Sequence, residues 1–185
     1  VDLNGDGLIT VEDVDMKNVI PSLYWGFGNT FTYKNWDLDV FIYSQLGVDK
    51  YNDVYSWTSG RGLGNQTNNM SVYIKDVWHS ELNPNGTIPG IAYEMASVSL
   101  PGGAGTDIGY ENSSFVRVRN ITLGYNFKPN QLGALSKLLS GIRVYVDVQN
   151  PFTFTGYTGL DPEVNTGGNY KGGKAEYPQT RTFSL

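Results

Sequence analysis

Two segments near the start of the chain alternate between apolar side chains and small or polar ones. Residues 23–33 carry a largely aromatic set at every second position, and residues 36–46 resume the alternation after Lys34 and Asn35. Because successive side chains of a β-strand point to opposite faces, this pattern predicts two strands, each with one apolar face. The apolar rows are Leu23, Trp25, Phe27, Asn29, Phe31 and Tyr33, then Trp36, Leu38, Val40, Ile42 and Leu46. We therefore predict a β-hairpin over residues 23–46 with a tight turn.

The length of these strands bears on the class of β-protein. A tilted strand of about ten residues is long enough to cross the hydrocarbon core of a bilayer. Strands of soluble β-sandwiches are usually shorter, about five or six residues. The length and the aromatic content therefore favour a transmembrane β-barrel, and a soluble β-sandwich is the alternative.

Three later segments also predict strands. Residues 142–150 alternate cleanly between Ile or Val and charged or polar residues. Residues 113–127 alternate as well, but the phase changes near Arg119 and Asn120, which indicates a β-bulge. Residues 180–185 begin a further strand. An apolar face opposite a charged one is typical of a barrel wall between lipid and a wet lumen, although a sandwich would bury the same valines.

Long segments rich in glycine and polar residues separate these strands at residues 47–112 and 155–178. Within the connections we expect one or two short helices, over residues 69–79 and 128–141. Bacterial barrels have short periplasmic turns and long extracellular loops. We therefore divide the chain into a lead-in over residues 1–20 and a strand region over residues 21–185, with the lead-in and both long loops outside the cell.

Composition and charge narrow the function. The 185 residues carry a formal net charge of −5, which argues against nucleic acid as a partner. There is no cysteine, and hence no disulfide framework or thiol chemistry. No apolar run approaches the roughly eighteen residues of a membrane helix. We find no nucleophile with an adjacent base and predict a non-enzyme. The chain begins inside a loop motif, so we interpret it as a piece of a longer protein.

The first loop has the spacing of an EF-hand calcium site. Oxygen-bearing groups recur at alternate positions around Gly7, where such a loop needs a sharp turn. Calcium prefers six to eight oxygen ligands, which a tightly curled loop can supply. The predicted ligands are Asp2, Asn4, Asp6, the Leu8 carbonyl, Thr10 and Asp13. Asp13 stands where an EF-hand usually has the longer Glu, so magnesium or a metal-free turn held by its own side chains is the alternative.

Aromatic side chains in the long loops are candidates for contacting a sugar ring. The candidate ligand-binding residues are Trp57, Trp78, Tyr93 and Tyr157. The alternative for aromatic loop residues is packing of the loop against itself or against a partner protein. His79 has no metal-ligand spacing around it, and we expect an ordinary loop residue. Asp37 and Asp39 share a strand face and are interpreted as lumen residues rather than a catalytic pair.

Five sequence blocks, in order, resemble one family. They cover residues 2–9 (Asp-Leu-Asn-Gly-Asp-Gly-Leu-Ile), 31–38, 114–125, 143–163 in two parts, and 177–183. In these blocks the chain resembles the C-terminal end of SusC/RagA-type TonB-dependent outer-membrane transporters. The resemblance implies an all-β fold of antiparallel up-and-down strands, the C-terminal portion of a transmembrane β-barrel.

The resemblance also implies a role and partners. Such proteins import oligosaccharides or peptides through the outer membrane of Gram-negative bacteria, and a SusD-like surface lipoprotein closes over the extracellular face. TonB supplies energy through an N-terminal plug that this chain does not contain. We therefore expect contact with outer-membrane lipid, with the lipoprotein and with oligosaccharide or peptide cargo. The alternatives are a soluble calcium-stabilised carbohydrate-binding β-sandwich and a dockerin-like module, although dockerins repeat the loop and this chain has one copy.

Overall fold

The structure is a computed structural model that describes residues 3–8, 10–52, 71–87, 109–164 and 177–185. Within these residues the chain forms antiparallel β-structure joined by turns. The strands are β1 (Leu23–Tyr33), β2 (Trp36–Leu46), β3 (Asp49–Tyr51), β4 (Tyr110–Asn112), β5 (Phe115–Phe127), β6 (Ile142–Thr155) and β7 (Thr182–Ser184).

The strands form one large sheet and one small ribbon. The large sheet has the order β1-β2-β5-β6-β7, and every neighbouring pair is antiparallel. The ribbon pairs β3 with β4, which extend β2 and β5 beyond one end of the sheet. The predicted hairpin is confirmed, because Tyr33 pairs with Trp36 across a two-residue turn. Lys34 occupies the left-handed region in this turn, with a φ of 57°.

The predicted irregularity in the fifth strand is also present. The register of β5 shifts against both neighbours between Val118 and Asn120, so Arg119 is the extra residue of a bulge. On β6 the ladder passes from Gln149 to Phe152 across Asn150, whose φ of 49° is left-handed. The bulges keep the apolar side chains before and after them on one face, which is why the sequence pattern changes phase there.

The apolar rows of all four long strands lie on one face of the sheet. Leu23 is 51% exposed and Phe27 49%, while Val144 and Val146 are 48% and 43% exposed. A β-sandwich would bury these side chains against a second sheet. Within the described residues no second layer covers them, so the sheet has the arrangement of a barrel wall and not that of a sandwich half.

Apart from Val77, the buried apolar residues of the described chain lie at the end of the sheet that carries the ribbon. These residues are Val48, Phe115, Tyr157 and Val164, and they bring together the ribbon, β5 and the loop that follows β6. Residues 156–164 of that loop turn back over the sheet, and we call them the return loop. Its docking is what creates the site described below.

The two predicted short helices take 3-10 form. One 3-10 turn spans Val72–Asp76, and two more, Pro129–Gln131 and Gly133–Lys137, lie between β5 and β6. Gly133 begins the second of these two turns with a φ of 56°, which interrupts any longer helix. Among the described residues, no helix has the length and apolar character needed to cross a membrane.

Candidate functional site

The face opposite the apolar rows is polar, and its side chains bond to one another. Arg143 on β6 forms an ion pair with Asp37 on β2, and Asn126 donates to the same carboxylate at 2.5 Å. Nearer the middle of the sheet, the Thr122 hydroxyl donates to Asp147 at 2.6 Å. A polar network along one face and bare apolar side chains along the other is the division expected between lumen and lipid.

At the ribbon end of the sheet, the same polar face carries a buried cluster of ions. The Arg117 guanidinium is 2% exposed and donates to Asp161 at 2.8 Å and to Glu163 at 2.7 Å. Its Nε donates to the Thr153 hydroxyl on β6 at 2.9 Å. Arg119, at the bulge, also forms an ion pair with Glu163. We call Arg117, Arg119, Asp161 and Glu163 the Arg117 cluster.

The Arg117 cluster fixes the return loop to the sheet through Asp161. One carboxylate oxygen of Asp161 accepts the Glu163 amide at 2.8 Å, and the other accepts the Gln179 amide at 2.8 Å. Burial by itself raises the pKa of Asp161, but these amide bonds and Arg117 outweigh it, and the pKa is lowered. Because the pKa is lowered, Asp161 stabilises the docked loop fully when the pH is above the unfolded-state pKa of about 3.9. This contribution is lost as the pH falls through the lower pKa of the folded state.

The small ribbon holds the return loop from its other side. Lys50 on β3 donates to the Val164 carbonyl at 2.6 Å, and Glu111 on β4 accepts the Thr158 amide at 2.9 Å. The Lys50 ammonium also lies 5.9 Å from the centroid of the Tyr157 ring. The return loop is therefore held between the ribbon and the two arginines of β5, Arg117 and Arg119, and it presents a fixed surface at this end of the sheet.

A polar cleft of about 350 Å³ lies beside the Arg117 cluster. Its walls come from β6, the return loop and the segment before β7. Arg181 is on its wall, and no carboxylate in the described part of the chain pairs with it. The cleft lies on the polar side of the sheet, beside Arg117 and Thr153.

The four predicted ligand-binding aromatic residues differ in exposure, and two of them lie outside the described residues. Tyr157 is 8% exposed and packs inside the return loop, so little of its ring is free to contact a ligand. Trp78 is 48% exposed and follows the 3-10 turn Val72–Asp76. Trp57 and Tyr93 lie outside the described residues. Sugar binding by these four residues stays a prediction.

Sequence reasoning missed the Arg117 cluster. The alternation over residues 113–127 gives Arg117 no role of its own, and its partners lie far along the chain in a glycine-rich loop. The available signal was the charge itself, because Arg117 and Arg119 stand among valines while Asp161 and Glu163 flank Pro162. Charges so placed must be paired if the fold buries them.

The three other titratable candidates, His79, Asp37 and Asp39, have local roles. The His79 Nδ1 accepts the backbone amides of Glu81 and Leu82, each at 3.1 Å, so the ring holds its own turn. Asp37 is engaged by Arg143, and Asp39 accepts the Thr30 hydroxyl on the neighbouring strand. Both aspartates therefore belong to the polar wall.

The EF-hand-like loop closes on itself through side-chain bonds to its backbone. Asp13 accepts the Leu3 amide at 2.7 Å with one oxygen and the Thr10 amide at 2.7 Å with the other. These bonds, that from Thr10 foremost, lower the pKa of Asp13. Asn4 accepts the Asp6 amide at 3.0 Å, and Asp6 accepts the Leu8 amide at 2.8 Å.

The loop shares one backbone feature with an EF-hand loop. Gly7 has a φ of 83°, the sharp turn that an EF-hand loop needs at this position. The described residues, however, bring together no group of three or more His, Asp or Glu side chains that could hold a metal. Asp2, the first predicted ligand, lies outside the described residues.

Comparison with known proteins gives consistent relatives. No family model matches the sequence. The chain is 31% identical over 193 residues to TonB-dependent receptor P3 of Formosa agariphila, and 32% identical over 188 residues to TonB-dependent receptor SusC of Bacteroides thetaiotaomicron. Each alignment covers 100% of this chain but only 18% and 17% of the respective relative. The chain thus spans less than a fifth of the length of these proteins.

Solved structures with a similar fold belong to proteins of the same kind. The structure of the RagAB peptide transporter superimposes with a TM-score of 0.70 and 25% identity over 90% of this chain and 17% of that chain. The RagAB peptide importer in its "closed-closed" state gives a TM-score of 0.67 at 24% identity over the same shares. Sequence and fold therefore agree, and the chain is a barrel segment of the SusC/RagA-like TonB-dependent receptors.

Proposed function

We propose that this segment forms part of the wall of an outer-membrane importer, with its polar face toward the transport lumen. The observation that carries the proposal is the division of a single sheet into an exposed apolar face and an ion-paired polar face. Strands of 11 to 14 residues are long enough to cross the hydrocarbon core at a tilt. The relatives, which include SusC and the RagAB importer, support the same role.

We place the return loop at the outer mouth of the importer, together with the lead-in over residues 1–20 and the long loops 47–112 and 155–178. In this arrangement the Arg117 cluster holds one wall of the mouth rigid while hydrophilic cargo passes. The cargo is an oligosaccharide or a peptide, and Trp57, Trp78, Tyr93 and Tyr157 are the aromatic candidates for contacting it. Rigid support of a loop is a general way to keep a binding surface preorganised.

The partners follow from the same proposal. A SusD-like lipoprotein covers the outer mouth, TonB acts through regions of the protein outside this chain, and lipid covers the apolar face. We propose no catalytic role for the segment, because the neighbouring Asp37 and Asp39 are both engaged in the polar wall. Its place in the cell is the outer membrane.

Membrane fractionation tests this proposal directly. We expect the full-length protein to sediment with the outer membrane on a sucrose gradient and to require detergent for extraction, because no residue that the structure describes covers the apolar strand rows. Extraction by high salt or carbonate should fail, since these reagents release only peripheral proteins. A monomer that stays in solution without detergent would overturn the barrel assignment.

We further propose that the loop over residues 2–13 binds calcium as a structural ion. Asn4, Asp6, Thr10 and Asp13 would supply side-chain oxygens and Leu8 its carbonyl, with Asp2 completing the set. A carboxylate that accepts amide bonds retains free lone pairs, so the bonds to Asp13 are compatible with a metal contact. The bound ion would stiffen the entry to β1.

Calorimetry tests the calcium proposal. Titration of calcium into the detergent-solubilised protein should give saturable heat that is abolished or strongly reduced by Asp6→Ala, because Asp6 supplies the central ligand of the loop. Asp15→Ala is the matched control, since it removes a nearby carboxylate that pairs with Lys17 and lies outside the loop spacing. Equal heats of calcium binding for the original protein and Asp6→Ala would contradict the proposed calcium site.

A further inference from the structure

The connection between β5 and β6 exposes leucine side chains at the end of the sheet opposite the ribbon. Leu135 is 51% exposed, Leu138 83% and Leu139 40%. Leu135 and Leu138 are three residues apart across a 3-10 turn, and the Leu138 amide donates to the Leu135 carbonyl at 3.0 Å. Side chains at this spacing in a 3-10 helix lie one above the other. We call Leu135, Leu138 and Leu139 the leucine edge.

This connection is attached to the apolar side of the barrel wall. Gln131 donates from Nε2 to the Tyr125 hydroxyl at 3.0 Å and accepts from Asn35 at 2.7 Å. Tyr125 belongs to the apolar row of β5, and its ring lies edge-on to Trp36 at 4.8 Å and to Phe127 at 4.7 Å. The connection therefore begins at an aromatic group on the apolar face of the sheet, and the leucine edge follows Gln131 by four residues along the chain.

The aromatic group has the properties of a membrane interface belt. Trp36 is 48% exposed and Phe127 37%, and the neighbouring Tyr33 at the hairpin turn is 68% exposed. Trp and Tyr concentrate where the headgroups of a bilayer meet its acyl chains. The strand rows above this group face hydrocarbon, so the connection lies at headgroup depth.

We propose that the leucine edge inserts into the headgroup–acyl boundary of the bilayer and holds this end of the barrel wall at a fixed depth. Continuity with the aromatic group identifies lipid as the occupant. The cations fit the same assignment. Lys128 opens the connection and Lys137 stands directly before Leu138, and lysine stems can cover apolar surface while their ammonium groups reach lipid phosphates.

An environment-sensitive label tests this inference in the full-length protein. This chain has no cysteine, so single cysteines can be introduced at Leu138, with Leu135→Cys as a second variant, once any cysteines elsewhere in the protein are replaced. The probe is an NBD label in phosphatidylcholine vesicles that contain a doxyl lipid quencher. We expect NBD at position 138 to emit at shorter wavelength than in water and to lose emission when doxyl lipid is present.

Two matched positions make the result interpretable. Ala134→Cys lies on the same 3-10 turn away from the leucine edge and should stay solvent-like. Val146→Cys lies on the apolar face of β6 and should be quenched by lipid. The inference rests on the proposed membrane location, and Val146 reports on that location separately. Absence of quenching at position 146 counts against the barrel proposal itself.

The outcomes divide clearly when position 146 is quenched. Lipid quenching at positions 138 and 135 but not at 134 supports the leucine edge. Solvent-like emission at 138 and 135 overturns it. Short-wavelength emission at 138 without lipid quenching also overturns it, because a protein and not the bilayer would then cover the leucines.

Discussion

Replacing Arg117 by alanine is expected to release the return loop from the barrel wall at a cost of about 3–5 kcal/mol. The reason is that the Asp161 side chain is only 5% exposed and that of Glu163 16%, so Asp161 would lose the arginine it pairs with, and Glu163 one of its two, without regaining water. Hydrogen–deuterium exchange measures the release of the loop at two defined amides. The amides of Glu163 and Gln179 both donate to Asp161, and they should lose protection while the β1–β2 ladder keeps it.

Arg119→Ala is the matched control for this experiment. Arg119 pairs with the same Glu163 but is 27% exposed, so its loss should cost no more than about 1 kcal/mol. Arg117→Lys should fall between the two, since lysine keeps the charge but cannot bond both carboxylates with one planar group. Equal protection in Arg117→Ala and Arg119→Ala would show that the loop is held by the ribbon alone.

The strands could be predicted because each is specified by its own residues. The alternation over residues 23–46 sets the hairpin, and a change of phase at Arg119 is enough to locate a bulge. A barrel wall makes this easier than a soluble sheet does, because lipid on one side and water on the other impose the alternation along the whole strand.

The Arg117 cluster could not be predicted because its geometry depends on the path of a loop. A period of two assigns Arg117 to the polar face, but whether that arginine meets water or a buried carboxylate depends on residues 156–164 folding back. The same folding buries Tyr157, which its aromatic character had made a candidate for ligand contact. Loop paths are set by such tertiary contacts, and local pattern carries little information about them.

The short helices illustrate the limit of local propensity. Leucines at 132, 135, 138 and 139 predict a helical segment, and a helical turn is what forms there. Pro129 and Gly133 keep it to 3-10 turns, because proline suits only a first turn and Gly133 adopts a left-handed φ of 56°. The exposed leucines then have a different explanation from core packing, which is contact with the bilayer boundary.

A single charge on the apolar face should be the most direct test of what that face touches. Val148 lies near the centre of β6 and pairs with Ile121 on β5. Val148→Arg is expected to destabilise the folded barrel by about 2–4 kcal/mol, the cost of an arginine at the bilayer midplane of a barrel. The measurement is the urea concentration at which the folded, heat-modifiable band disappears on gels of the protein in lipid vesicles.

Gln149→Arg provides the comparison because it is the next residue and points to the opposite face. There the new guanidinium meets the lumen and lies near the Asp147 carboxylate, so little or no loss of stability is expected. A large difference between two adjacent arginines is expected when one face of the strand meets hydrocarbon and the other water. If both variants unfold at the same urea concentration, the apolar rows face something other than lipid, and the importer proposal fails with them.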